Sequence, residues 1–149
     1  MNKIYKLLLS LLMITSLSAC SSKSSKVYKC GHSYDNGSVT IMTYVDENNK
    51  ITKEEFEYTY NDYTSYGYDN PEELIAAIDE TYDQISLNNF NYSASVNDKV
   101  LTIKYTLDYE NNEDDFAYIA ELFYGKTEDE IDGYDYFEFS DDGTCELVK

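Results

Sequence analysis

Apolar and polar residues alternate along three neighbouring segments in the first half of the chain. Alternation with a period of two is typical of half-buried β-strands. The third segment is the most aromatic, with Phe56, Tyr58 and Tyr60 in alternate positions. The pair Asn36-Gly37 lies between the first two segments, and both residue types tolerate the positive φ angles of tight hairpin turns. This half therefore predicts a three-stranded meander of residues 27–34, 39–45 and 51–60.

After the meander, the apolar spacing changes to that of a helix. Asn70 can cap a helix N-terminus and Pro71 suits the first helical position, while Glu72 and Glu73 complement the positive end of the helix dipole. Apolar residues then recur at intervals of three and four. We expect a helix that runs to about residue 86 and packs one stripe on the sheet: Leu74, Ile75, Ile78, Tyr82 and Ile85.

The second half predicts another hairpin and a shorter helix. Residues 92–96 and 100–109 alternate around a turn at 97–99, and the second strand places an apolar residue at every odd position from Leu101 to Tyr109. A helical pattern follows, with an acidic first turn at residues 113–115 and an end at Gly125. Its apolar residues share one face: Phe116, Ile119, Ala120 and Phe123.

The tail predicts a short helical turn at residues 127–130 and a strand pair, 136–139 with 145–148. Together the patterns predict an α+β fold. We expect an antiparallel sheet of about five to seven strands, with one long and one short helix on one face.

The N-terminal residues have the pattern of a targeting segment. Lys3 and Lys6 precede an apolar run at residues 7–14, which is the length of a secretion signal and shorter than the roughly 20 residues of a membrane span. The tetrapeptide Leu17-Ser18-Ala19-Cys20 resembles the lipobox of bacterial lipoproteins. That resemblance implies cleavage before Cys20, diacylglycerol and palmitate-type acyl chains on it, and attachment to the outer side of the bacterial cell membrane. The alternative is a plain secretion signal with a coincidental cysteine.

These boundaries predict three parts: a signal peptide at 1–19, a lipidated cysteine with a Ser/Lys tether at 20–26, and one acidic domain at 27–149. The formal net charge is −18, and removal of Lys3 and Lys6 would lower it by two more units. Nucleic acid is excluded as a partner because the eleven lysines form no cluster outside the tether. Basic partners or cations fit the charge, although an acidic surface can also serve solubility alone.

The order of elements resembles the YehR-like lipoprotein family, whose domain has no known function. The likeness covers roughly residues 20–125 and runs through the lipobox, the tyrosine-rich meander, a tyrosine-containing loop, the acidic helix and the 92–109 hairpin. It implies an envelope lipoprotein with an antiparallel sheet backed by helix, and no catalytic residues. The chain departs from the family in its acidity, in its tail after Gly125 and in a pair of cysteines.

With Cys20 lipidated, Cys30 and Cys145 remain, and an even pair in an exported protein favours a disulfide. The alternative is two buried free thiols. The spacing excludes a CxxC redox motif.

Candidate catalytic chemistry is sparse. His32 is the only histidine and alternates with Cys30 and Tyr34, so we interpret it as a packing or surface residue. One histidine does not supply a zinc site or a nucleophile with its base. Acidic clusters at residues 113–115, 132–135 and 141–143 lack the spacing of an EF-hand loop. We therefore expect no enzyme activity, no metal site and no cofactor.

One loop has the composition of a binding loop. Residues 61–70 combine Tyr63, Tyr66 and Tyr68 with Ser, Gly and Asn, which give contact area and adaptable hydrogen bonds. The three tyrosines form a hypothetical partner-binding site, although a chain with 17 tyrosines can place three in a loop by composition alone.

The leading functional prediction is a non-enzymatic module that binds a basic envelope protein, such as a lysozyme-like enzyme, or a polymer. The alternative is capture of a small solute or cation for a membrane transporter, which needs a closed apolar pocket.

Overall fold

Six antiparallel strands and two helices make up the part of the chain that the computed structural model describes, residues 26–126 and 145–149. The strands are β1 (Lys26–Tyr34), β2 (Gly37–Val45), β3 (Ile51–Tyr60), β4 (Asn91–Asn97), β5 (Val100–Asp108) and β6 (Cys145–Leu147). The helices are α1 (Pro71–Tyr82) and α2 (Phe116–Tyr124). The predicted α+β fold is confirmed.

All six strands belong to one sheet in the order β4-β5-β3-β2-β1-β6. The meander β1-β2-β3 forms as predicted, and the hairpin β4-β5 joins it because β5 pairs with β3. Strand β6 pairs with the first half of β1, with Leu147 opposite Tyr28. The predicted turn at 127–130 and strand at 136–139 lie outside the described residues.

The turn between β1 and β2 forms where the Asn36-Gly37 pair predicted it, but without the positive φ angles that this pair was expected to provide. Asp35 and Asn36 make the turn, Gly37 already pairs with Tyr34 in the sheet, and neither Asn36 nor Gly37 has a positive φ. A Cβ on Gly37 would lie 1.9 Å from the carbonyl oxygen of Thr59. Glycine is therefore required here for the close approach of β2 and β3 rather than for its backbone angles.

Helix α1 begins as predicted, since Asn70 Oδ1 accepts a hydrogen bond from the Glu72 amide at 2.9 Å. It ends at Tyr82, several residues before the predicted end. The buried Asn112 explains the difference, because its Oδ1 accepts from the Asn88 amide at 2.8 Å and its Nδ2 donates to the Asn88 carbonyl at 2.9 Å. This clamp holds the turn at Asn88 against the loop that follows β5, so the chain leaves the helical path before it reaches β4.

Both helices pack on the same face of the sheet, which we call the covered face. Leu74 of α1 packs with Leu101 of β5, and Ile119 and Ala120 of α2 are fully buried in the cluster that holds Leu107. Helix α2 ends at Gly125, whose φ of 63° is the left-handed conformation of many helix C-caps. The acidic residues 113–115 form a separate 3₁₀ turn before α2 instead of its first turn. Neither helix in the described part of the chain is long and apolar enough to cross a membrane.

Candidate functional site

The three loop tyrosines do not form one surface. Tyr63 is buried at 7% exposure, packs with Leu74 and Leu101, and donates a long hydrogen bond of 3.5 Å to the Asp69 carbonyl. Tyr68 is half-buried beside the same cluster. The interpretation of Tyr63 as a partner contact is therefore wrong, because its side chain is part of the core beneath α1.

Tyr66 is the loop tyrosine that faces solvent, at 50% exposure. A 3₁₀ turn over Tyr63–Tyr66 presents it. Asp62 holds the start of the turn by accepting hydrogen bonds from the Thr64 amide at 3.0 Å and the Thr64 hydroxyl at 2.7 Å, and these bonds lower the pKa of Asp62. Gly67, with a φ of 84°, ends the turn. Local hydrogen bonds thus fix the position of Tyr66.

Two strand tyrosines complete the exposed surface around Tyr66. The Tyr60 ring centroid lies 5.3 Å from that of Tyr66 in an edge-to-face arrangement, and 6.2 Å from that of Tyr34. Tyr34, at the end of β1, is 37% exposed, and Tyr60 at the end of β3 is half-buried between the other two. We call Tyr34, Tyr60 and Tyr66 the distal tyrosine cluster.

The three phenols of the distal tyrosine cluster influence one another. Burial, followed by the neighbouring Tyr34 and Tyr66 phenols, raises the pKa of Tyr60 above its ordinary value. Burial and the Tyr34 phenol likewise raise the pKa of Tyr66. Both side chains are therefore neutral at physiological pH, with hydroxyls that can donate and accept hydrogen bonds.

The cluster lies at one end of the sheet, which we call the distal end. It contains the β1–β2 turn, the end of β3 and the β4–β5 turn. Two backbone hydrogen bonds hold the loop against these turns: the Asn61 amide donates to the Asn36 carbonyl at 2.8 Å, and the Tyr63 amide donates to the Lys99 carbonyl at 3.0 Å. Strand β1 starts at Lys26, at the opposite end of the sheet, and has nine residues. Since each residue of a strand advances by about 3.3 Å, the two ends of the sheet are about 30 Å apart.

The face opposite the helices, the open face, is polar. Two ion pairs lie on it: Lys53 with Glu55 within β3 at 2.6 Å, and Lys104 of β5 with Glu57 of β3 at 2.9 Å. A depression of about 380 Å³ opens on this side of the sheet, lined in part by Thr40, Met42, Glu55, Asn91, Ser93 and Lys104. The depression is open to solvent and carries mixed charges.

A buried carboxylate on the covered face is the feature that sequence reasoning missed. Glu54 is 7% exposed and accepts hydrogen bonds from the Thr43 hydroxyl at 3.0 Å and from the Tyr109 and Tyr124 hydroxyls at 2.7 Å each. Burial first, and then the Glu54 carboxylate, raise the pKa of both tyrosines. The signal in the sequence is that Glu54 occupies the same alternate positions as Phe56 and Tyr58. Because all its partners are hydroxyls of the fold, the network is structural.

Cys30 and Cys145 form a disulfide across β1 and β6, with their Cα atoms 4.2 Å apart. They lie directly opposite each other in the strand pairing. His32 is exposed on β1, and no group of histidine, cysteine or acidic residues in the described ranges has the arrangement of a metal site. Cys20 and the acidic residues at 132–135 and 141–143 lie outside the described residues.

Comparisons with known proteins bear on the fold. No family model matches the sequence, and no curated protein matches it at a significant level. Among solved structures, the chain is similar to the E. coli YehR protein determined by NMR, with a TM-score of 0.50 and 15% identity. The similarity covers 60% of this chain and 64% of the YehR chain, so less than two thirds of YehR is spanned. The chain therefore has a fold similar to that of YehR, as the order of its elements predicted.

Proposed function

We propose that the protein is a lipid-anchored lipoprotein of the bacterial envelope that binds a partner, without enzyme activity, through its distal end. The observation that supports this best is the position of the distal tyrosine cluster. Its exposed rings lie about 30 Å from the start of β1, where the chain arrives from the proposed anchor at Cys20. A binding surface at the far end from an anchor remains accessible to other molecules.

The length of the tether strengthens the argument from position. Residues 21–26 can span about 20 Å at most when fully extended. The end of the sheet that holds Lys26 would therefore stay near the lipid head groups. Tyr34 and Tyr66 would face away from the membrane.

The partner that suits this surface is a basic envelope protein or polymer. The chain has a formal net charge of −18, and association with a partner of opposite charge would be accelerated at low salt and weakened by screening. Nucleic acid carries the wrong charge for such a surface. The open face gives no support to capture of a small solute, because its depression is open to solvent and lined in part by charged side chains, instead of being enclosed.

Partner capture from envelope extract tests the binding role. The protein, expressed from the full chain and purified from membranes in non-ionic detergent, is immobilised and the bound proteins are eluted in salt steps for mass spectrometry. We expect a stoichiometric partner that is lost when Tyr34 and Tyr66 are both changed to alanine. Tyr118→Ala is the matched control, because Tyr118 is 39% exposed on α2, away from the distal end. Equal capture by both variants would place binding elsewhere.

The anchor is tested separately. Radiolabelled palmitate should be incorporated into the native protein and not into Cys20→Ala, because Cys20 is the proposed attachment site of the acyl chains. Equal labelling of the two proteins, or no labelling of either, would contradict the lipid anchor and leave the binding experiment unaffected.

A further inference from the structure

The distal tyrosine cluster has the geometry to receive a cation. Edge-to-face packing of Tyr66 on Tyr60 fixes two rings nearly at right angles, with an interplanar angle of 86°. Tyr34 lies on Tyr60 as well, with its ring tilted by 53°. Rings at steep angles to one another present several aromatic surfaces to the same space, and Tyr34 and Tyr66 keep much of theirs open to solvent. Aromatic surfaces attract cations through the ring quadrupole.

The charge around the cluster is negative. Among described residues 34–37, 60–73 and 97–100, the only lysine is Lys99, and its Nζ already lies 3.7 Å from the Asp62 carboxylate. The same segments contain several more carboxylates: Asp35, Asp69, Glu72, Glu73 and Asp98. An incoming cation therefore meets attractive charge before it reaches the rings.

The open face shows how this chain binds an ammonium group with the same residue types. Lys53 Nζ lies 3.8 Å from the centroid of the Tyr44 ring and 2.6 Å from Glu55 Oε1. The Tyr44 hydroxyl donates to the same carboxylate at 3.1 Å, so ring and carboxylate hold the lysine together. At the distal end the tyrosines and carboxylates are present, and no lysine of the described residues contacts the rings.

From these observations we propose that the distal tyrosine cluster is a cation–π site for lysine or arginine side chains of a basic partner polypeptide. The proposal rests on the binding role given above and names the chemistry of that site. Tyr34 and Tyr66 supply the ring surfaces, Tyr60 holds them at their angles, and the surrounding carboxylates supply the long-range attraction.

A lysine peptide provides the test. A fluorescein-labelled peptide of alternating lysine and serine is titrated into the full-length protein in non-ionic detergent at about 150 mM salt, with fluorescence anisotropy as the readout. Changing both Tyr34 and Tyr66 to phenylalanine should alter Kd by less than about twofold, because phenylalanine keeps the ring. Changing both to leucine should weaken binding about tenfold or more, since two cation–π contacts are lost at constant protein charge.

Two controls complete the test. Tyr118→Leu should leave Kd unchanged, which separates the site from any other exposed tyrosine of the acidic protein, and the same peptide with acetylated lysines should not bind, because binding requires the positive charge. Equal binding by the leucine and phenylalanine variants, or binding of the acetylated peptide, would overturn the cation–π site. The two experiments can also disagree. If the alanine variant of Tyr34 and Tyr66 no longer captures the native partner, but the leucine and phenylalanine variants bind the lysine peptide equally, the binding role stands and the cation–π site is wrong.

Discussion

The hydroxyl of Tyr124 donates a 2.7 Å hydrogen bond to Glu54, a residue 70 positions earlier in the chain. Tyr124 is the last residue of α2 and Glu54 lies on the central strand β3, so the bond fastens the end of the helix to the sheet. The hydroxyl oxygens of Tyr109 and Tyr124 are also 2.6 Å apart. The two tyrosines and the Glu54 carboxylate therefore form one connected network.

Tyr124→Phe should destabilise the fold by about 1 to 2 kcal/mol, because it removes one donor from a buried carboxylate that keeps its other two. The free energy of unfolding in urea measures the effect. Tyr118→Phe, on the same helix and 39% exposed, should change stability by less than about 0.5 kcal/mol. Equal effects of the two substitutions would show that the network contributes no net stability.

Stability should fall at alkaline pH because several tyrosines have raised pKa values in the folded state. Burial is the main cause for Tyr105, Tyr109 and Tyr124. Tyrosines in the unfolded chain ionise near pH 10, at about their ordinary pKa. Above that pH the unfolded chain releases protons that the folded protein retains, so the stabilisation is complete below about pH 10 and is lost as pH rises further. Urea midpoints measured between about pH 7 and 11 should show this decline, and a constant midpoint would contradict it.

Gly37→Ala should destabilise the protein by about 1 to 3 kcal/mol, since the new Cβ would collide with the Thr59 carbonyl and push β2 from β3. Gly31→Ala is the matched control in the neighbouring strand, because a Cβ there has no atom within 4 Å. We expect a change of less than about 0.5 kcal/mol for that control. Thermal or urea unfolding of the two variants gives the comparison, and a tolerated Gly37→Ala would show that the strands can separate at low cost.

Replacement of Cys30 and Cys145 by serine should lower stability by about 4 to 5 kcal/mol in the chain-entropy model, given the 115-residue separation of the two cysteines. Dithiothreitol should lower the urea midpoint of the native protein and leave that of the double variant unchanged. A native protein insensitive to the reductant, with two reactive thiols after denaturation, would show that the pair is not bridged in solution.

The strands and helices were largely predictable because each buries one regular face. Alternation along β5 predicted the buried positions Leu101, Tyr105 and Leu107, and Asn70-Pro71 marked the start of α1. The early end of α1 was not predictable, because the Asn112 clamp on Asn88 comes from a loop 24 residues away.

The candidate site was predictable only in part. Composition indicated the loop that holds Tyr66, but a loop has no periodicity to separate the buried Tyr63 from its exposed neighbour. Tyr34 and Tyr60 join the site through the pairing of β1, β2 and β3, which brings the ends of two strands beside the loop. The role of Glu54 was not predictable, because a charged residue in an apolar series does not indicate which distant tyrosines donate hydrogen bonds to it.

Strand β6 covers an edge of the sheet that β1 would otherwise expose, and the two cysteines that pair there are 115 positions apart in the chain. Exposed strand edges allow chains to pair wrongly or to aggregate. A chain interrupted before Cys145 would leave the edge of β1 open and Cys30 without its bridge partner. The disulfide therefore makes protection of this edge depend on synthesis of the chain as far as Cys145.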